Sequence, residues 1–164
     1  MAVHRGARTS AGAVEAWTRA GATLATVLVL DQALKQLAVA SLERGVSENV
    51  FFGIDLNLVR NTGVAFGAFA NSGALVMVLT AVALVVLIGY FARHATRRGL
   101  WLPVGMLLGG ALGNLADRVR EGSVIDFIDP VLWPAFNLGD ACIVLGVLGL
   151  LYVVEGDDEG KGGG

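Results

Sequence analysis

Four aspartates fall within residues 109–140, which read GGALGNLADRVREGSVIDFIDPVLWPAFNLGD: Asp117, Asp126, Asp129 and Asp140. A long apolar run begins directly after Asp140. An ionisable side chain at the edge of such a run is costly and marks a candidate functional site. Asp126 and Asp140 are each framed by apolar residues, in Val124-Ile125-Asp126-Phe127 and Phe136-Asn137-Leu138-Gly139-Asp140. Two carboxyl groups brought together in a dry site share a proton, so that one serves as acid and the other as base. The spacing alone also suits two helix caps, because aspartate is a favoured cap residue. Asn137, three residues before Asp140, is itself a candidate cap for the helix that follows.

Competing chemistries find few residues. The histidines, His4 and His94, lie in basic segments far from these aspartates, so no Ser-His pair or histidine metal cage is expected beside them. The single cysteine, Cys142, excludes an intrachain disulfide and a cysteine metal cluster. It sits inside a late apolar run and reads as a small buried hydrophobe. A net charge of −2 gives no basic surface for nucleic acid.

The elements that must position the aspartates are membrane helices. The 164 residues suffice for one domain; 55% are hydrophobic, 16% are charged, and the mean hydropathy is +0.68. Apolar spans are expected at residues 20–40, 74–92, 100–116 and 138–154. The first contains Asp31 and Lys35, four apart on one helix face, an acid preceding a base at a spacing that pairs well. A basic start, an apolar run and Ala38-Val39-Ala40 also fit a cleavable signal peptide. The charged pair favours a retained helix that turns it toward the bundle interior. Gly105, Gly109 and Gly113 recur every four residues on the third span, allowing close helix approach.

Between the first two spans, residues 54–60 alternate apolar and polar as a half-buried strand does, and Asn61-Thr62-Gly63 carries turn chemistry. Residues 1–19 form a basic tail in which residues 12–19 suit a short interfacial helix. Residues 155–164 form an acidic, glycine-rich tail expected to be disordered. The basic N-terminal tail and the connection between spans two and three hold six arginines, and the two other connections four. That bias places both termini inside and residues 41–73 and 117–137 outside.

The blocks Gly109-Gly110-Ala111-Leu112-Gly113-Asn114-Leu115-Ala116-Asp117-Arg118, Val124-Ile125-Asp126-Phe127 and Pro134-Ala135-Phe136-Asn137-Leu138-Gly139-Asp140 resemble the signature blocks of lipoprotein signal peptidases, or signal peptidase II. Asp31-Gln32 with Lys35, and Asn61-Thr62-Gly63-Val64-Ala65-Phe66, resemble that family's remaining blocks. The match runs in order from Asp31 to Asp140. One departure is Gly139, where the family usually carries alanine.

The resemblance implies an all-α membrane protein with four transmembrane helices and a small β-containing extracytoplasmic element. It implies a multi-pass protein of the bacterial inner membrane with residues 20–154 as its peptidase domain. Asp126 and Asp140 would be the dyad of an aspartic endopeptidase, with Asn61, Asn114, Arg118 and Asn137 binding substrate or supporting the site. Asp31 and Lys35 are expected to be a structural pair, and Asp117 to be structural. The implied substrate is a prolipoprotein whose cysteine carries diacylglycerol. No cofactor or metal is implied, and the expected partners are this substrate and membrane lipids, with the enzyme a monomer. The rival reading is a non-enzymatic four-helix membrane protein, a transporter subunit or assembly factor, with the aspartates as ion or proton relays.

Overall fold

The computed structural model describes residues 2–62 and 73–159, with side chains for 10–62 and 73–156. The elements in order are α1 (Ala2–Ser41), β1 (Glu48–Phe51), β2 (Ile54–Asn61), α2 (Gly73–His94), α3 (Trp101–Glu121), β3 (Val124–Pro130) and α4 (Leu138–Glu159). The predicted strand at residues 54–60 is β2. The glycine-rich block after Thr62 lies outside the described residues.

Both tails depart from expectation. α1 is one continuous helix from Ala2, where a separate interfacial helix or a tail was expected, and α4 continues to Glu159. Trp17 lies edge-on to Phe91 of α2, with ring centroids 4.7 Å apart, so the early part of α1 packs instead of trailing.

Three helical stretches among the described residues are long and apolar enough to cross a membrane: Ser10–Ser41, Gly73–His94 and Leu138–Gly156. α3, the expected third span, falls short of that measure. Its C-terminal half carries Asn114, Asp117, Arg118, Arg120 and Glu121. The reason lies in its position: α3 packs against α1 on one side and α4 on the other. It therefore meets protein where α2 and α4 show apolar side chains to their surroundings.

The glycines of α3 permit that placement. A Cβ on Gly105 would stand 2.7 Å from the Ala20 carbonyl, and one on Gly109 2.8 Å from the Leu24 carbonyl, so α1 and α3 touch backbone to backbone. A Cβ on Gly113 would run into the Asp31 carboxylate, and one on Gly110 into the Gly139 carbonyl of α4. The four-residue glycine repeat thus brings α1 close enough to deliver its charged pair. α3 ends at Gly122, whose φ of 71° lets its N–H return to the Arg118 carbonyl at 3.0 Å.

The sheet is antiparallel with strand order β1-β2-β3. Val59 stands opposite Asp126 and Asn61 opposite Val124. At the opposite end of the bundle, Arg97 of the α2–α3 connection donates to the Val154 carbonyl of α4 at 2.9 Å and to the Tyr90 hydroxyl at 3.1 Å.

Candidate active site

Asp126 stands in β3, between Ile125 and Phe127, and is 1% exposed. After β3 the chain turns back and Phe136 bridges to Ile128: the Phe136 N–H donates to the Ile128 carbonyl at 2.9 Å, and the Ile128 N–H returns to Phe136 at 3.0 Å. This fold-back sets Asn137 beside Asp126 just as α4 begins. Asn137 caps α4: its Oδ1 accepts the Asp140 backbone N–H at 2.9 Å, and Asp140 Oδ2 accepts the Asn137 backbone N–H at 3.2 Å. That reciprocal arrangement is a capping box. The cap reading of Asn137 and Asp140 therefore holds, and the cap also fixes how Asp140 points.

Asn137 is fully buried, and its side-chain amide donates to Asp126 Oδ1 at 2.7 Å. One residue thus joins the two aspartates, by its amide to Asp126 and by its backbone to Asp140. Asn61 reaches Asp126 from β2, donating to Oδ2 at 3.0 Å. It lies two residues beyond Val59, on the same face of the strand and diagonal to Asp126. Asn114 of α3 donates to Asp140 Oδ1 at 2.7 Å. Arg118, one turn further along α3, is half-buried, and its charge acts on Asp140, Asp126 and Asp117.

Behind this cluster lies a buried ionic group. Lys35 Nζ meets Asp31 Oδ2 and Asp117 Oδ2, both at 2.8 Å, and donates to Asn114 Oδ1 at 2.8 Å. Asp31 and Lys35 are fully buried and Asp117 is 2% exposed. Asp31 Oδ1 also accepts the Gly139 N–H at 2.8 Å, tying α1 to the first turn of α4. Gln32 donates to Asp117 at 3.0 Å, and Arg120 reaches Asp117 at 3.4 Å and Gln32. The expected pair is thus the core of a larger group. Asp117, expected to be structural, supplies its second carboxylate. Asp129 lies elsewhere, bonded by Asn57 at 3.1 Å.

Burial pushes the Asp126 carboxyl up to about 6, and the negative charge of Asp140 adds to the rise. Hydrogen bonds from Asn61 and Asn137 and the charge of Lys35 pull the other way. The rise has a sign for stability. The folded state holds its proton to higher pH than the unfolded chain, so this group favours folding most at low pH and loses that contribution as pH climbs through about 6. A rise of about two units corresponds to on the order of 3 kcal/mol. Asp126→Asn lacks the titration, so its melting temperature relative to the parent should climb between pH 4 and pH 7. A difference that stays constant with pH would contradict the assignment.

Beside Asp140 opens a groove of about 410 Å³, lined by Trp133, Phe136, Ala141, Val144 and Leu145. Reading the sequence missed it. Its walls come from the fold-back segment, which the Phe136 bridge holds to β3, and from one face of α4.

Known proteins share this arrangement of sequence and fold. The model of the signal peptidase (SPase) II family matches residues 23–154. The chain belongs to the signal peptidase II family. It is therefore a protease of that family. The lipoprotein signal peptidase of Pelotomaculum thermopropionicum is 38% identical over 141 residues, covering 83% of this chain and 91% of that protein. That of Moorella thermoacetica is 42% identical over 130 residues, covering 77% and 85%. A bacterial membrane enzyme solved by the in meso method superposes with a TM-score of 0.80 at 27% identity, covering 87% of this chain and 90% of that one. The non-enzymatic alternative is not favoured by these relatives.

Proposed function

We propose that this signal peptidase II removes signal peptides from prolipoproteins by aspartic catalysis, cutting before a cysteine that carries diacylglycerol. One observation carries the reading. Asp126 on β3 and Asp140 on α4 are held in one hydrogen-bond network by Asn137. The names of the relatives support the substrate class. The groove of Trp133, Phe136, Ala141, Val144 and Leu145 supports it too, since it offers an apolar surface beside Asp140 to a lipid-bearing residue.

Asp140 is the base. Its carboxylate lies in the first turn of α4, where the helix dipole favours negative charge, and it accepts one backbone and one amide hydrogen bond. Asp126 is the acid, since burial favours its neutral form. Asp140 takes a proton from water, whose oxygen attacks the scissile carbonyl carbon. Asp126 donates a hydrogen bond to the carbonyl oxygen. As the carbon–nitrogen bond breaks, a proton passes to the leaving amine, and the dyad returns to one proton shared between two carboxyls. Asn61, Asn114 and Asn137 hold the carboxyls in place, and Arg118 serves the substrate backbone or headgroup.

Activity should follow a bell against pH, with limits that belong to the pair. Its alkaline limit should lie well above that of a free aspartate, because Asp126 stays protonated to about 6. A chelator should leave the rate unchanged. Inhibition reversed by added metal would overturn the aspartic mechanism.

α3 also spans the membrane in this reading, as the third of four: 21 residues reach roughly 31 Å, enough for a hydrocarbon core. Both termini and the basic α2–α3 connection then face the cytoplasm, and the sheet with the dyad faces outward at the inner membrane. In this reading the enzyme works as a monomer. A cysteine placed at Ser47 should react with an impermeant thiol reagent added from outside, and one at Thr96 should not. The reverse pattern would overturn the orientation.

A further inference from the structure

The buried ammonium of Lys35 bonds to more than its two carboxylates. Its three N–H groups have three acceptors at 2.8 Å: Asp31 Oδ2, Asp117 Oδ2 and Asn114 Oδ1. A lysine ammonium only donates, so the Asn114 atom facing it must be the amide oxygen. The Asn114 amide nitrogen is then turned the other way, onto Asp140 Oδ1 at 2.7 Å. Were the amide reversed, a carbonyl oxygen would face a carboxylate oxygen at hydrogen-bond distance, and the ionised form of Asp140 would be repelled.

We propose that Lys35 is a positioning residue for the reaction, acting through Asn114 to keep a hydrogen-bond donor on Asp140. A pairing role alone would need only Asp31 and Asp117. The third contact runs toward the dyad, and Asn137 donates to the same Asn114 oxygen at 3.1 Å, reinforcing one amide orientation. Asp31, the other half of the pair, accepts the Gly139 N–H and so fixes the turn that carries Asp140. The inference rests on the dyad reading above.

The test must separate positioning from charge balance. In Asp31→Asn/Lys35→Met the buried group loses one anion and one cation. Asp117 keeps Arg120 at 3.4 Å, and the amide introduced in place of Asp31 can still accept the Gly139 N–H through its oxygen. Purified in detergent and shown folded by its melting curve, this variant should lose kcat roughly tenfold to a hundredfold, the worth of one charge-assisted hydrogen bond, with KM little changed. The charged groups acting on Asp126 are Asp140 of α4, Lys35 of α1 and Arg118 of α3. Loss of the Lys35 cation should therefore also move the alkaline limb of the pH profile upward. Asp31→Asn/Lys35→Gln, which keeps an amide donor for Asn114, should recover most of kcat while the limb stays displaced.

Parent-like kcat in the folded Met variant, or an equal loss in the Met and Gln variants, would overturn the proposal. If the Met variant does not fold, the Gln variant decides alone: retained kcat with a displaced limb supports the proposal, and lost kcat overturns it. In the unmodified protein, the Asn114 side-chain amide nitrogen should shift in NMR spectra as the dyad titrates, and invariance across pH would overturn the proposal without any variant. Asp126→Asn and Asp140→Asn belong in the same assay. Activity in either sinks the dyad reading, whereas their inactivity beside a parent-like Met variant sinks only the role of Lys35.

Discussion

Replacing either Asp126 or Asp140 with asparagine should lower the cleavage rate by roughly 10³-fold or more, with the fold retained. Asparagine keeps the shape of the side chain but cannot exchange a carboxyl proton. The two groups act as a unit, since one must be charged while the other is neutral, so the double variant should be little worse than either single one. Each site can accept the change structurally. The Asn137 amide, held by its cap, can keep donating to the oxygen of the introduced side chain, and the Asn61 amide can reverse to meet the new donor. At residue 140 the oxygen that caps the Asn137 N–H is preserved, and the introduced NH2 faces the Asn114 amide nitrogen, at the cost of that one hydrogen bond. Asp129→Asn is the control. Asp129 is bonded by Asn57 on the sheet, away from the dyad, and its loss should leave activity near that of the parent. A variant at Asp126 or Asp140 that cleaves at the parent rate would contradict the assignment, and inactivity at Asp129 would mean the wrong carboxyls had been named.

The second large effect is expected at Lys35 and is one of stability. Lys35→Met alone should destabilise the protein by about 3–5 kcal/mol, because it strands a charge in the interior. Asp117 retains Arg120, but Asp31 is fully buried, and its remaining partners are the Gly139 N–H and the Gln32 amide, 3.3 Å from Oδ2. Adding Asp31→Asn should restore most of that loss by removing the unpaired charge. A melting temperature for Lys35→Met close to that of the parent would show that the buried group does not depend on its cation. A double variant no more stable than the single one would show that the cost lies in packing and not in charge.

Asp31 and Lys35 were legible in the sequence because a four-residue spacing puts them on one helix face whatever surrounds them. Their third partner, Asp117, comes from another helix 82 positions after Lys35 and has no local signal. The glycine repeat at Gly105, Gly109 and Gly113 indicated close packing, but not that α1 would be the helix received. β2 was readable from its alternation, and its register against β3, which places Asn61 on Asp126, was not. Asn137 and Asp140 looked like a cap, and they are one. The step from cap to candidate site depends on the fold-back through Phe136, a tertiary contact. α3 was read as apolar enough to span. Its polar half is tolerated because Asn114 and Asp117 are buried against α1 and α4, which supply their partners, while Arg120 and Glu121 stand exposed at its end.

The most direct test of the central claim is to identify the product of cleavage. Purified protein in detergent, with a chelator present, should be given a diacylglyceryl-modified prolipoprotein and, in parallel, the same precursor without the lipid. Mass spectrometry should find one new chain whose first residue is the lipid-bearing cysteine, with the released signal peptide intact. It should find no such product from the unmodified precursor or from the Asp126→Asn and Asp140→Asn proteins. Cleavage at another bond, equal cleavage of both precursors, or the same product from either variant would contradict the account.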